Sequence, residues 1–187
     1  MLKEIRIHGR GGQGSVTAAE LLAYAAFIEG RFVQAFPYFG AERRGAPVKA
    51  FARLSDEPML VHSQIYNPDY IIVLDHAIYK FVDVTEGLKK DGIIIMNTTR
   101  KPGEMELKGR RIATVDATGI ALELNLLVAG LPVVNTSIVG AFAKATNEVK
   151  LSSVLKAIRA TWSGSAGEKN AAAAEMAYER LIKGWRE

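Results

Sequence analysis

The chain has 187 residues, of which 49% are hydrophobic and 24% are charged. These proportions are typical of a globular domain and exclude a disordered, collagen-like or coiled-coil protein. The sequence contains no cysteine, which excludes disulfide bonds and cysteine-ligated iron–sulfur or zinc sites on this chain. The net charge of +4 is spread along the chain, so nucleic acid is not a required partner.

Metal and membrane binding find little support in the sequence. The three histidines, His8, His62 and His76, lie in separate segments, and no HExxH-type spacing occurs. No apolar run approaches the ~20 residues that cross a bilayer, and no signal peptide precedes the first predicted strand. We therefore expect a cytoplasmic protein with no metal site and no membrane partner.

The first half of the chain predicts a βαβ unit followed by a hairpin. Residues 5–8 alternate as in a strand, residues 9–14 form a glycine-rich turn, residues 16–28 are helix-like, and residues 32–36 indicate a second strand. Residues 37–47 form a long loop with two prolines and two glycines. Residues 48–54 alternate again, residues 55–58 make a turn, and residues 59–62 are expected to return as a short antiparallel strand.

The second half predicts further parallel strands and helices. Residues 70–75 and 92–97 are continuous apolar runs, typical of strands covered on both faces, with a predicted helix at 77–89 between them. Residues 111–115 form a weaker run. Helices are expected at 118–128, 136–146 and 151–161 and, after a flexible-looking segment at 162–167, at 168–183. We predict one α/β domain over residues 1–187, with three layers, a Rossmann-like and mostly parallel sheet, and an inserted β-hairpin.

Three glycines, Gly9, Gly11 and Gly14, fit the pattern GxGxxG between a strand and a helix. There one glycine makes a tight turn, one lets backbone N–H groups approach a phosphate, and one lets the helix pack close to the strand. The alternative is a turn whose glycines serve packing alone or the approach of another subunit. A dinucleotide site also needs Asp or Glu at the end of the second strand. Residues 34–37 are Gln-Ala-Phe-Pro instead, which argues against NAD.

Several arginines lie near this turn in the sequence, and their guanidinium groups suit phosphate or carboxylate recognition; the alternative is a solvated basic face. They are Arg6, Arg10, Arg31, Arg43 and Arg44. Because Arg6 lies between two isoleucines on a central strand, its side chain needs a partner or water on the opposite face. Aromatic residues next to Arg43 and Arg44 favour a protein interface over nucleic acid, and a self-packed surface loop is the other alternative.

Three polar residues, Asp75, Asn97 and Asp116, stand at the carboxyl ends of predicted strands, so we expect them to face one crevice. Asp75 with His76 could form an acid–base pair, but capping of the next helix is the favoured interpretation. No Ser-His-Asp order, GxSxG elbow or P-loop occurs, which argues against a hydrolase or a P-loop NTPase.

Three separated segments resemble the gamma subunits of 2-oxoacid:ferredoxin oxidoreductases. They are residues 7–14 with 17–19, residues 36–47, which include Arg-Arg-Gly-Ala-Pro, and residues 132–141, which begin Pro-Val-Val-Asn-Thr. The resemblance implies a subunit of a complex that oxidatively decarboxylates a 2-oxoacid, forms acyl-CoA and reduces ferredoxin. The Arg-Arg-Gly-Ala-Pro form is similar to pyruvate-type and branched-chain-type enzymes, and pyruvate is our first choice.

The resemblance also implies where the cofactors lie. Thiamine diphosphate and [4Fe–4S] clusters belong to partner subunits, so we expect no cofactor and no catalytic residue on this chain, and no activity when it is isolated. The expected partners are the alpha, beta and delta subunits, with ferredoxin reached through the complex and CoA as substrate. The residues assigned to CoA binding are Gly9, Gly11, Gly12, Gln13, Gly14, Arg43, Arg44 and Asn135. A freestanding nucleotide-binding dehydrogenase, a 2-oxoisovalerate enzyme subunit and a purely structural module are the alternatives.

Overall fold

The computed structural model describes residues 1–38, 46–61, 63–107 and 109–186. Arg43, Arg44 and His62 lie outside the described residues. The strands are β1 (Leu2–Arg10), β2 (Phe32–Tyr38), β3 (Pro47–Ser55), β4 (Tyr70–Val73), β5 (Ile93–Asn97), β6 (Arg111–Val115), β7 (Leu127–Val128), β8 (Leu131–Pro132) and β9 (Ile182–Lys183). The α-helices are α1 (Ser15–Ile28), α2 (Ala117–Glu123), α3 (Asn135–Thr146), α4 (Leu151–Thr161) and α5 (Gly164–Arg180).

Seven of these strands form one sheet in the order β2-β3-β1-β4-β5-β6-β9. β1, β4, β5 and β6 are parallel neighbours at its centre. β3 runs antiparallel to both β1 and β2, and β9 runs antiparallel to β6. β7 and β8 form a separate two-stranded sheet. The predicted α/β class with a mostly parallel sheet is therefore confirmed.

The inserted hairpin differs from its predicted form. β3 lies between β1 and β2, so β1, α1 and β2 do not make a βαβ unit of adjacent strands. The hairpin consists of β2 and β3, whereas residues 59–61 form no strand. The physical reason is that β3 already has a partner on each side, which leaves no free edge for a further strand.

All the larger helices pack on one face of the sheet. There α1, α3, α4 and α5 cover the odd-numbered residues of β1 and the alanines of β3, which alternate with residues of the opposite face. The predicted bounds of α3 and α4 agree with the structure to within one residue. α5 begins four residues earlier than predicted, so residues 164–167 are helical rather than flexible. None of the helices in the described ranges is long and apolar enough to span a membrane.

The opposite face of the sheet is covered by irregular chain, and the helix predicted at 77–89 is wrong. Only a 3₁₀ helix, His76–Lys80, forms in that segment. The Asp83 carboxylate accepts the N–H of Thr85 at 2.8 Å, and Gly87 has a φ of +70°, so the chain turns instead of continuing as a helix. Its apolar side chains still form a second, smaller core against β4 and β5.

Two buried arginines attach this irregular layer to the sheet. Arg6 Nε donates to His8 Nε2 at 3.0 Å, and Arg6 Nη2 donates to the carbonyls of Val84 and Glu86. The partner that the sequence required for Arg6 is therefore a histidine and two backbone carbonyls. Arg53 plays the same part on β3 and is only 1% exposed. The alternation of β3 places Arg53 on this face, but no motif in the sequence marks it.

Candidate functional site

The glycine turn joins β1 to α1 and is held by its own hydrogen bonds. The N–H of Gln13 donates to Arg10 O at 3.0 Å, and Gln13 Oε1 accepts the N–H of Arg10 at 2.7 Å. The N–H of Gly11 donates to Ala46 O at 3.0 Å. Gly12 and Gly14 have φ values of +95° and +80°, which L-residues adopt at a steric cost. The turn is therefore rigid, and the N–H groups of Gly11 and Gln13 are already used.

Other N–H groups of the turn remain available to a ligand. Those of Gly12 and Gly14 donate to no acceptor among the described residues. Gly14 is the residue before α1, and no side chain caps that helix. Unpaired N–H groups at a helix start carry a partial positive charge and attract anions. The turn can thus offer Gly12, Gly14 and the first turn of α1 to an anionic ligand.

Asn135, the first residue of α3, lies directly beside this turn. A Cβ atom on Gly14 would lie 2.6 Å from Asn135 Nδ2, so a glycine at position 14 is what lets α3 approach. Asn135 is 5% exposed, and its Oδ1 accepts the N–H of Thr136 at 2.8 Å. Its Nδ2 has no acceptor among the described residues. Two N–H donors of a buried side chain are therefore left for a ligand.

These donors border a cavity of about 540 Å³, which we call the helix-start cavity; its lining includes Gly12, Gly14, Asn135, Trp162, Ser165 and Lys169. The three helices α1, α3 and α5 all begin at this cavity, and none of them has a side-chain hydrogen bond at its cap. Lys169 adds a cation to the wall. The combination of helix starts, an amide and an ammonium group favours an anionic ligand.

A second cavity, the acidic crevice of about 530 Å³, lies at the carboxyl ends of β4, β5 and β6 and is lined by Asp75, His76, Asn97 and Asp116. The crevice predicted for the polar strand ends is therefore present. Asp75 accepts the N–H of Ala77 at 2.9 Å. Asp116 accepts the N–H of Gly119 at 2.7 Å.

These bonds show that the two carboxylates cap the helical segments that follow them, as expected. Asn97 Nδ2 donates to Leu74 O and to Thr118 Oγ1, both at 2.9 Å. Asp75 and His76 share no hydrogen bond, so the alternative of an acid–base pair has no support in the geometry.

The β7–β8 hairpin divides the two cavities and was not predicted. Val128 and Val133 line both of them, and Leu131 is 68% exposed. The predicted helix at 118–128 ends at Glu123 instead. The available signal was Ala-Gly at 129–130 between two apolar pairs, and both of these residues have positive φ values, as a two-residue hairpin turn requires.

The sequence and the fold are similar to those of known proteins. The family model for pyruvate ferredoxin/flavodoxin oxidoreductase matches residues 4–180. The chain is 56% identical over 183 residues to the pyruvate/ketoisovalerate oxidoreductases common subunit gamma of Thermococcus kodakarensis, with 96% of this chain and 97% of that protein covered. It is 55% identical over 180 residues to the pyruvate synthase subunit PorC of Methanocaldococcus jannaschii, with 96% and 97% covered. The crystal structure of the pyruvate oxidoreductase subunit PORC of Thermotoga maritima has a TM-score of 0.86 and 35% identity, with 98% of this chain and 99% of that chain covered.

Proposed function

Since the chain belongs to the pyruvate ferredoxin/flavodoxin oxidoreductase family, we propose that it is the gamma subunit of a CoA-acylating pyruvate:ferredoxin oxidoreductase. That enzyme converts pyruvate, CoA and oxidised ferredoxin to acetyl-CoA, CO₂ and reduced ferredoxin. Its thiamine diphosphate and [4Fe–4S] clusters reside on the alpha, beta and delta partners. The absence of cysteine from this chain is consistent with that division, because a cluster needs thiolate ligands.

The chain's own contribution is to complete the complex and to hold the phosphate groups of CoA at the helix-start cavity. The observation that carries this role is the buried amide of Asn135, whose Nδ2 lies beside Gly14 and has no acceptor within the part of the chain that the structure describes. With the N–H groups of Gly12 and Gly14 it provides several donors for phosphate oxygens. Gly9 serves packing, because a Cβ there would collide with Ser15 Oγ.

Recognition of the 2-oxoacid belongs to the partner chains. The T. kodakarensis relative is described as a gamma subunit common to pyruvate and ketoisovalerate oxidoreductases. A subunit shared by two enzymes is suited to a substrate that both reactions have in common, as CoA is. Pyruvate remains our first choice of 2-oxoacid for this chain, with 2-oxoisovalerate as the second.

The alternative of a freestanding NAD-dependent dehydrogenase has less support. In a dinucleotide-binding fold the second strand is the neighbour of the first and brings an acidic residue to the ribose. Here β3 separates β1 from β2, and β2 ends in Pro-Tyr. An acidic residue at that strand end would therefore lie two strands away from the glycine turn.

The substitution Asn135→Asp in the assembled oxidoreductase tests CoA binding. It keeps the shape of the side chain and the Oδ1 acceptor, and the start of α3 favours the new carboxylate. It replaces the free donor by a negative charge, so we expect the KM for CoA to rise about tenfold or more, because hydrogen bonds to charged groups are strong. The KM for pyruvate and kcat should stay unchanged.

Asn67→Asp, at an exposed position away from the cavity, is the matched control and should leave both KM values unchanged. If Asn135→Asp leaves the KM for CoA at the wild-type value, CoA does not contact this cavity. If both KM values rise together, the substitution acts through assembly and the CoA-binding role is equally wrong.

A further inference from the structure

A third cavity, which we call the basic cavity, meets the glycine turn on its other flank. It measures about 380 Å³, and its lining includes Arg10, Gly11, Gly12, Ser15, Tyr38 and Lys49. No Asp or Glu of the described chain lines it. The acidic crevice, on the far side of Gly11 and Gly12, is lined by two aspartates and by no described Lys or Arg. An anion lying against the turn is therefore attracted to the basic cavity and repelled from the crevice.

The two cations of the basic cavity lie on neighbouring strands and on the same face of the sheet. In the antiparallel register of β1 and β3, His8 is opposite Lys49 and Arg10 is opposite Pro47. Arg10 and Lys49 are thus diagonal neighbours, with their backbones about 7–8 Å apart in such a pair. Because both side chains are long, their charged groups can contact the same phosphate group.

The charges of these two cations are balanced differently. Arg10 Nε forms an ion pair with Asp75 Oδ2 at 2.7 Å, which fixes the guanidinium but leaves its two terminal nitrogens without a described partner. Lys49 is half-buried, and its ammonium group forms no ion pair or hydrogen bond with any described residue. His8 adds no further charge at neutral pH, because burial, Arg6 and Lys49 lower its pKa to about 3. Among the described residues that line the cavity, Lys49 therefore carries a positive charge that no carboxylate compensates.

We infer that Lys49 and Arg10 together bind a phosphate group of the ligand that lies against Gly11 and Gly12, with Asp75 as the residue that positions Arg10. The inference rests on the proposed function, under which that phosphate belongs to CoA. Lys49 supplies a point charge, and Arg10 supplies the outer N–H groups of its fork. This flank of the turn is separate from the helix-start cavity that contains Asn135.

The test uses the assembled oxidoreductase with Lys49→Gln, Lys49→Arg or Arg10→Gln in this chain. The measurements are the KM for CoA, the KM for pyruvate, kcat, and the Ki of adenosine 3′,5′-bisphosphate as a competitor of CoA. We expect Lys49→Gln and Arg10→Gln each to raise the KM for CoA and the Ki roughly tenfold, with the KM for pyruvate and kcat unchanged. Lys49→Arg keeps the positive charge and should retain most of the affinity for CoA.

The exposed Lys90 precedes the amino end of β5, away from the carboxyl end of β1 where the cavity lies, and gives the matched control Lys90→Gln, which should change none of these values. Asn135→Asp separates the two proposals. If Asn135→Asp raises the KM for CoA while Lys49→Gln and Arg10→Gln do not, this inference is overturned and the proposed function stands. If Lys49→Gln and Arg10→Gln raise the KM for CoA and Asn135→Asp does not, this inference is supported and the phosphate lies in the basic cavity alone. An equal loss for Lys49→Gln and Lys49→Arg would also overturn the inference, because charge would then not be the determinant.

Discussion

Arg53 provides the sharpest test of how the irregular layer is held to the sheet. Its guanidinium, 1% exposed, donates to Glu4 Oε1 at 2.9 Å and to the carbonyls of Ser63 and Val61 at 2.7 and 3.3 Å. It also donates to Gln34 Oε1 at 3.3 Å. The substitution Arg53→Met keeps much of the apolar volume and removes every one of these bonds.

The expected loss follows from what is left unpaired. Glu4 is 19% exposed at its side chain and loses its cation, and two backbone carbonyls lose a donor. Breaking a buried ion pair by removing one partner costs about 3–5 kcal/mol. Val61 and Ser63 are exposed residues, so water can replace the donor that their carbonyls lose. We expect the free energy of unfolding to fall by about 3–5 kcal/mol. Adding Glu4→Gln should recover part of this loss, because the stranded charge is then gone.

The assay is urea denaturation of the chain followed by far-ultraviolet circular dichroism. Arg159→Met is the control: Arg159 Nε lies 2.9 Å from Glu168 Oε1, the same separation as in the Arg53–Glu4 pair, but both side chains are exposed. Solvent screens that pair, so its loss should be far smaller. Equal losses for the two variants would refute the argument that burial, rather than distance, sets the contribution.

Two further predictions concern local parts of the structure. Because burial lowers the pKa of His8 to about 3, against ~6.5 in the unfolded chain, the stability due to neutral His8 is complete above pH ~6.5 and is lost as the pH falls from there towards 3. His8→Gln should therefore lose less stability than wild type between about pH 7 and about pH 4.5 in urea titrations; parallel losses would contradict this. Gly14 and Gly30 have φ values of +80° and +84°. Gly14→Ala and Gly30→Ala should therefore each lower the free energy of unfolding by about 1–2 kcal/mol. Only Gly14→Ala also places a Cβ atom 2.6 Å from Asn135 Nδ2. This overlap should lower the free energy of unfolding, measured by thermal or urea unfolding, by a further ~1–3 kcal/mol. Equal losses for the two variants would show that the contact is harmless.

The strands and helices with strong local patterns could be predicted from the sequence. The isoleucine runs at 71–72 and 93–95 indicated strands covered on both faces, and β4 and β5 are buried throughout. β6 and α4 have the predicted bounds. These elements are defined by neighbours in the sequence, so a period-2 or period-3.6 pattern is enough to find them.

The elements that failed depend on distant contacts. Nothing in residues 47–55 alone tells that β3 pairs with β1 as well as with β2. A helix was predicted at 77–89, between two strands, but the residues of this segment that are buried, Ile78, Val84 and Leu88, are spaced by six and four residues and do not form one helical stripe. The cover of that face is set instead by buried arginines that hold loop carbonyls.

The candidate site shows the same division. The glycine pattern predicted the turn between β1 and α1, but not that the N–H of Gly11 donates to Ala46 while those of Gly12 and Gly14 have no described acceptor. Asn135 entered only through the resemblance, since its place beside Gly14 depends on the packing of α3. Lys49 had no local signal at all, because its significance comes from the register of β3 against β1.

Under our proposal this chain is a non-catalytic subunit of a larger oxidoreductase, and reconstitution of the complex is the decisive experiment. Acetyl-CoA formation is measured for the isolated chain, for the purified partner subunits without it, and for the two combined. We expect activity only in the combined sample. Turnover by the isolated chain with pyruvate, CoA and an electron acceptor, or full activity of the partners in its absence, would contradict the claim.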